Sequence, residues 1–277
     1  MSLSVLYDVP GPRARVRHRL YAVVGLLVIA ALLGYLGWKL WQADQITPEN
    51  WLFLAEPDIV MQLLEGLGVT VSTAAFAIVL AIVFGAVFAA GRLSDHAFVR
   101  WPSVAVVEFF RAVPVLLMIY FLNFTFSEQL GASGSVIVAL LLYNGSVLAE
   151  VFRAGILAVP KGQREAGFSI GLRKSQVLWM IQAPQAVSTM LPAIISQCVV
   201  ALKDTALGYA IGAPEITRAG KQIFTAITYN NPIAVGLVLV AVFVAINYSL
   251  SRLAQLLEAR MRRQGKEAVH TAAQPPI

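Results

Sequence analysis

Six ionisable residues stand inside otherwise apolar stretches of this 277-residue chain: Glu108 and Arg111, Glu150 and Arg153, and the adjacent Lys203 and Asp204, which Thr205 follows. A charge at the centre of a bilayer costs about 3 kcal/mol on insertion scales, so such residues are kept where they pair, line a pathway or relay ions. Glu108 with Arg111 and Glu150 with Arg153 share i, i+3 spacing, which places each pair on one helix face where the two charges neutralise each other. Two uses of these pairs stay open: a packed polar layer supporting an inner gate, or direct contact with a charged substrate. Lys203 and Asp204 point about 100° apart on a regular helix and cannot pair as neighbours. They fit either a helix break lining a cavity, with Lys203 for an acidic group and Asp204 for an amino group, or a helix that ends at an interface. Phosphate-cradling chemistry is not expected, because Gly220 and Lys221 are followed by Gln222 where a P-loop needs Ser or Thr. His18, His96 and His270 lie too far apart in sequence for metal spacing, and the single Cys198 cannot form an intrachain disulfide.

The elements that position these residues must live in lipid. Hydrophobic residues make up 58% of the chain and charged residues 13%, against about 45–50% and 25% in soluble domains. Four uncharged runs approach the roughly 20 residues that a membrane-spanning helix needs: Leu20 to Trp38, Leu67 to Gly91, Pro184 to Leu202 and Pro232 to Ser251. Two more, Trp101 to Phe126 and Ser135 to Val159, carry the Glu–Arg pairs. The first run follows Arg13, Arg15, Arg17 and Arg19 but is longer than a cleaved signal core, so it reads as a span. Segments 1–19, 92–100, 160–183 and 252–277 carry 15 Lys and Arg residues, and 42–60, 127–134 and 212–231 carry two. The positive-inside rule then predicts six helices, both termini in the cytoplasm, and the Asp44 to Asp58 segment outside. The net charge of +6 is scattered beside apolar runs, which fits lipid contact and not nucleic acid. The sequons at Asn123 and Asn144 fall inside predicted spans and read as chance. The basic tail after Arg252 reads as a helix end with disorder from about Val269.

The connector between the fourth and fifth runs, 160–184, is long and places Phe168, Ile170, Leu172, Leu178, Trp179 and Ile181 among charges. That pattern predicts two short amphipathic helices with Gly171 as the stop between them. Such helices lie flat on lipid or dock an apolar face into a partner's groove, and the pattern alone does not choose.

Glu165, Ala166, Gly167, Gly171, Ile181 and Pro184 resemble in their spacing the E-A-A-x3-G-x9-I-x-L-P signature of membrane subunits of binding-protein-dependent ABC importers, with Gly167 for the second Ala and Ala183 for Leu. Glu108, Arg111 and Pro114 are similar to the E-x-x-R-x-x-P element of the polar amino acid branch, Ala149 to Gly155 to A-E-x-x-R-x-G, Gly162 to Ala166 to G-Q-x-E-A, and Lys203 to Leu207 to K-D-T-[SA]-L. The resemblance implies an all-α permease with a five-helix core at 61–257, preceded by an extra helix within 1–60 and followed by a tail at 258–277. It implies a coupling helix at the connector, with Gly162, Glu165, Ala166, Gly167 and Gly171 docking an ATPase; Glu165 would either touch that ATPase or stabilise its own first helical turn. Glu108, Arg111, Glu150, Arg153, Lys203, Asp204 and Thr205 would line the substrate pathway or gate.

Further implied are a bacterial cytoplasmic membrane location, a sister permease or second copy, ABC ATPases that hold ATP and Mg, and an extracytoplasmic amino-acid-binding protein. No cofactor bound by this chain is expected, and the substrate is glutamate or a related amino acid. The alternative is an ion-coupled secondary transporter in which Glu108, Glu150 and Asp204 relay cations; a non-transporting membrane scaffold is a third reading.

Overall fold

The structure is a computed structural model describing residues 11–226 and 231–272. The chain divides into two compact units, residues 1–56 and 57–277. In the first unit, α1 (Pro12–Gln42) opens with proline in its first turn, where a missing N–H costs nothing. Its side chains, Leu26 and Leu33 among them, stand exposed, as a helix solvated by hydrocarbon requires. A turn at Asp44, whose φ is +55°, is closed by Asn50 Nδ2 and Thr47 Oγ1, which both donate to the Asp44 carbonyl at 2.6 and 2.8 Å. A short 3-10 helix, Pro48–Ala55, follows.

The second unit contains α2 (Pro57–Arg92), α3 (Ala97–Ala112), α4 (Val115–Leu157), α5 (Lys161–Ser169), α6 (Lys174–Gln176), α7 (Ala183–Asp204), α8 (Ile216–Thr225) and α9 (Pro232–Ala272). No strand occurs among the described residues, and five helices are long and apolar enough to cross a membrane. The pairing of α2 with α4 is the most extensive, followed by α4 with α7 and α7 with α9. Small residues make the first pairing close: α2 buries Ala74, Ala77, Ala81, Gly85 and Ala89 along one face. A Cβ on Gly85 would lie 2.9 Å from Leu148 Cβ and 3.1 Å from the Gly145 carbonyl oxygen. In lipid, where no hydrophobic effect drives helices together, such small-residue contact supplies the dispersion energy of packing. Around it sit Met118, Ile119, Val136 and Leu140, all buried.

All six expected apolar runs are helical, but their boundaries differ in three places. The run Trp101 to Phe126 is not one helix, because Val113 is extended (φ −80°, ψ 126°) before Pro114; a residue preceding proline avoids the α region, and proline has no N–H to continue the ladder. The expected outer loop 127–134 is instead a kink within α4, with non-helical backbone at Phe126 and Gly131. The second expected connector helix is not separate. Residues from Lys174 rise through α6 and a π-helical stretch, Val177–Gln182, directly into α7. The π turns precede Pro184, which cannot donate to the carbonyl four residues back, and a widened helix absorbs that gap. In the tail, α9 continues to Ala272, so helix runs past Val269, where disorder was expected; the side chains of Leu253 and Ala254 and those from Leu257 onward, and residues 273–277, lie outside the described residues.

Candidate functional site

Three helix ends meet at a chain of five charges. Arg153 at the end of α4 holds Glu150 through its Nε at 3.1 and 3.2 Å and its Nη2 at 2.5 Å. Glu150 Oε2 lies 3.1 Å from Arg92 Nη2, and the same nitrogen donates to Glu108 Oε1 at 3.1 Å. Glu108 also reaches Arg111 Nη1 at 3.5 Å. The order is therefore Arg153, Glu150, Arg92, Glu108, Arg111, alternating in sign across α4, α2 and α3. The structure brings the two Glu–Arg pairs together, and the residue that joins them is Arg92. Its side chain is 9% exposed, against 52% for Glu108 and 28% for Glu150. Sequence reasoning counted Arg92 only as a flanking charge. No sequence signal sets it apart, because an arginine at the end of an apolar run is what the positive-inside pattern places there anyway.

The connector builds outward from the same end. Gly171, at φ +81°, terminates α5 in the left-handed region that only glycine enters without strain. Leu172 N–H donates to the Gly167 carbonyl at 3.2 Å and Gly171 N–H to the Phe168 carbonyl at 3.0 Å, the paired bonds of a Schellman stop. Gly167 is the one buried residue of α5. A Cβ there would fall 2.7 Å from Ile181 Cδ1 and 2.9 Å from Val177 Cγ2, which accounts for glycine at this position. Through this contact α5 lies against the π turns at the base of α7. Glu165 is exposed and is the fifth residue of α5, past the first turn, where no acidic residue stands; the stabilising-dipole use of Glu165 therefore loses its geometry. Phe168 and Ile170 are exposed beside it, 43% and 76%. Gly162 and Ala166 are exposed too. Lys174 ties the connector to the loop after α2: its Nζ donates to the Leu93 carbonyl at 3.0 Å and pairs with Asp95. That bond holds the Asp95 carboxyl below the usual carboxylate range.

Lys203, Asp204 and Thr205 lie at the opposite end of α7, 22 residues long, or about 33 Å at 1.5 Å per residue. The backbone neither unwinds nor stops there; it tightens into a 3-10 helix, Thr205–Ile211, that ends at Gly212 with φ +72°. Lys203 is exposed, Asp204 is half-buried, and neither forms an ion pair among the described residues. Thr205 is buried and donates to the Leu202 carbonyl at 2.7 Å. The structure thus separates this group from the Glu–Arg chain. Midway, Gln197 of α7 donates to Asn144 of α4 at 2.5 Å, and Asn144 donates to the Leu140 carbonyl at 3.0 Å. Asn144, read as a chance sequon, is a buried helix-to-helix link. Beside the 3-10 turn, Glu215 caps α8 by accepting the Thr217 and Arg218 N–H groups, each at 2.8 Å. Burial pushes its carboxyl up, against those two donors, which pull it down.

Long apolar helices, buried polar links between them and a structured connector outside the bundle define a polytopic membrane permease. The chain belongs to the family of binding-protein-dependent transport system inner membrane components, which matches residues 81–263. It is 39% identical over 240 residues, 84% of this chain and 86% of the relative, to the glutamate transport system permease protein GluD of Corynebacterium glutamicum. It is 32% identical to the glutamate/aspartate import permease protein GltK of Escherichia coli O157:H7, covering 73% of this chain and 92% of that one. Among solved structures, a chain of an amino acid ABC transporter crystallised with histidines superposes with a TM-score of 0.67 at 26% identity, over 75% of this chain and 98% of that one. The inward-facing MetNI methionine ABC transporter shares the fold, with a TM-score of 0.58 at 21% identity over 73% and 98%. This chain is therefore an ABC importer permease, whose ATPase is a separate subunit and whose family works with ATPase and binding-protein partners. The ion-coupled reading of Glu108, Glu150 and Asp204 falls with that assignment.

Proposed function

We propose that this chain carries glutamate, or a closely related acidic or amide amino acid, across a bacterial cytoplasmic membrane, with both termini and the connector on the cytoplasmic side. The observation that carries the reading is the seating of α5 on the foot of α7. Gly167 lets the helix lie against Val177 and Ile181, while Glu165 and Ile170 stand exposed and the half-exposed Phe168 lines a cavity shared with Leu93, Ile156 and Leu178. A partner ATPase, holding ATP and Mg, grips that outer face. Because α6, the π turns and α7 are continuous, displacement of α5 moves a rod about 45 Å long, and Lys203 and Asp204 move at its far end. Lys174, bound to Leu93 and Asp95, delivers the same displacement to the end of α2.

Lys203 supplies a cation for an acidic substrate group and Asp204 an anion for its ammonium, while the Glu–Arg chain braces the inner gate. The likeness to GluD and GltK supports the substrate class, and a second permease copy or sister completes the pathway. The test is co-purification. Wild type recovers the ATPase subunits in detergent, and Glu165→Arg loses them while the permease itself stays folded. Recovery of the ATPase at wild-type yield by Glu165→Arg would remove α5 as the docking element.

A further inference from the structure

A second polar site lies at the end of α2 remote from the connector. Glu65 and Arg92 are 27 residues apart on one helix, about 40 Å at 1.5 Å per residue, so this site and the ion chain sit at opposite ends of the bundle. It is a cavity of about 410 Å³ between the first turns of α2 and α8, and its polar lining is Gln62, Glu65, Glu215, Arg218 and Gln222. That volume falls within the range of about 300–1,000 Å³ usual for small-molecule sites. Three of the five polar groups are engaged. Gln62 donates to Gln222 at 3.2 Å and closes one edge, and the Glu215 carboxylate is spent on two backbone N–H groups. Glu65 and Arg218 are left. Their side chains form no ion pair with each other or with any described residue, so the cavity offers one carboxylate and one guanidinium.

A zwitterionic amino acid is the small molecule that presents one carboxylate and one ammonium close together. A guanidinium takes a carboxylate through two parallel N–H bonds, and a carboxylate takes an ammonium. The floor of the cavity leads inward. Pro214 and Glu215 also wall a second, much smaller void whose lining includes Thr70, Thr73, Ser133 and Thr205. Thr70 Oγ1 accepts the Ile216 N–H at 3.1 Å and pins that wall in place, and Thr205 adjoins Asp204. Resting on the function proposed above, we infer that the cavity between α2 and α8 is an outer staging site for a free amino acid. Arg218 holds the carboxylate and Glu65 the ammonium, and the Pro214–Glu215 segment is the gate between this site and Lys203–Asp204.

The test uses the assembled transporter in proteoliposomes, with the system's amino-acid-binding protein loaded with labelled L-glutamate. Uptake and ATP hydrolysis are both measured as that protein is titrated. Arg218→Gln and Glu65→Gln are each expected to lower uptake at saturating binding protein by about tenfold, as the loss of a charge-assisted bond implies. The binding-protein concentration giving half-maximal ATPase stimulation stays unchanged, and Arg218→Lys keeps part of the uptake. Wild-type uptake in both Gln variants would overturn the inference and leave the permease function standing. A shifted half-maximal concentration would overturn it too, because it would mark this face as a docking surface for the binding protein. If Arg218→Gln fails to assemble, Glu65→Gln, on an exposed position of α2, decides by the same two readouts. Absence of glutamate uptake by the wild-type complex would take down both readings.

Discussion

Replacing Arg92 separates charge from shape in the five-residue chain, because both of its ion pairs converge on one nitrogen. Nη2 lies 3.1 Å from Glu108 and 3.1 Å from Glu150, whereas Nε and Nη1 are buried without a hydrogen-bond partner among the described residues. The guanidinium therefore acts as a point charge here, a task that a lysine ammonium performs equally well. Removing one partner of a fully buried ion pair costs about 3–5 kcal/mol. That figure must be discounted because Glu108 is 52% exposed and keeps Arg111, and Glu150 is 28% exposed and keeps Arg153. Arg92→Ala should then cost about 2 kcal/mol, or roughly 4–8 °C of melting temperature at this chain size. Arg92→Lys should stay within about 1 kcal/mol, since it keeps the shared charge and removes two unpartnered donors. Thermal unfolding of the purified variants in one detergent measures both. An Arg92→Lys variant that melts as low as Arg92→Ala, or an Arg92→Ala variant that melts with wild type, would refute the reasoning.

Gly85→Ala should destabilise by about 1–3 kcal/mol, the usual cost of overpacking, because the added Cβ meets Leu148 Cβ at 2.9 Å and the backbone at Ala149 N and Gly145 O at 3.1 Å, none of which can swing aside; the same melting assay reads it. The Asp95–Lys174 clamp has a defined acid limit. The folded pKa of Asp95 is depressed below its ordinary value of about 3.8, so its contribution is present above the unfolded pKa and is lost as pH falls through the folded one. Amide exchange in residues 93–96 should therefore be slow and level from pH 7 to 5 after correction for intrinsic rates. It should accelerate by no more than a few-fold below the ordinary carboxylate range, since the pair is solvent-exposed, and Asp95→Asn should show that faster rate throughout.

The sequence carried the parts of this fold that depend on composition and local stereochemistry. Uncharged runs near 20 residues marked the spans, and Gly171 marked the end of α5 because a left-handed stop is a property of one residue. The i, i+3 spacing showed that each Glu–Arg pair shares a face. Relations between segments were less legible. Pro114 lay inside an apolar run whose hydropathy hid the helix break, and Ala183–Pro184 read as a connector's end because the π turns that carry the helix past proline have no compositional mark. Arg92 was invisible as a bridge, since an arginine ending an apolar helix is the ordinary positive-inside pattern, and only the crossing of α2 over α3 and α4 turns it inward. Asn144 showed in the sequence only as a sequon inside a predicted span, and its buried link was not legible because its partner Gln197 lies 53 residues away. Glu65 and Arg218 carried no motif at all, and their meeting depends on α8 folding back against the first turns of α2.

ATP-driven uptake measures the central claim most directly. Proteoliposomes holding this permease, its sister or second copy and the ATPase should accumulate glutamate delivered by the binding protein only when ATP and Mg are on the connector side, and replacing residues 161–169 by a flexible polar tether should abolish accumulation with the ATPase still active. Accumulation by this chain alone under an ion gradient, or undiminished uptake with the tether in place, would contradict the account.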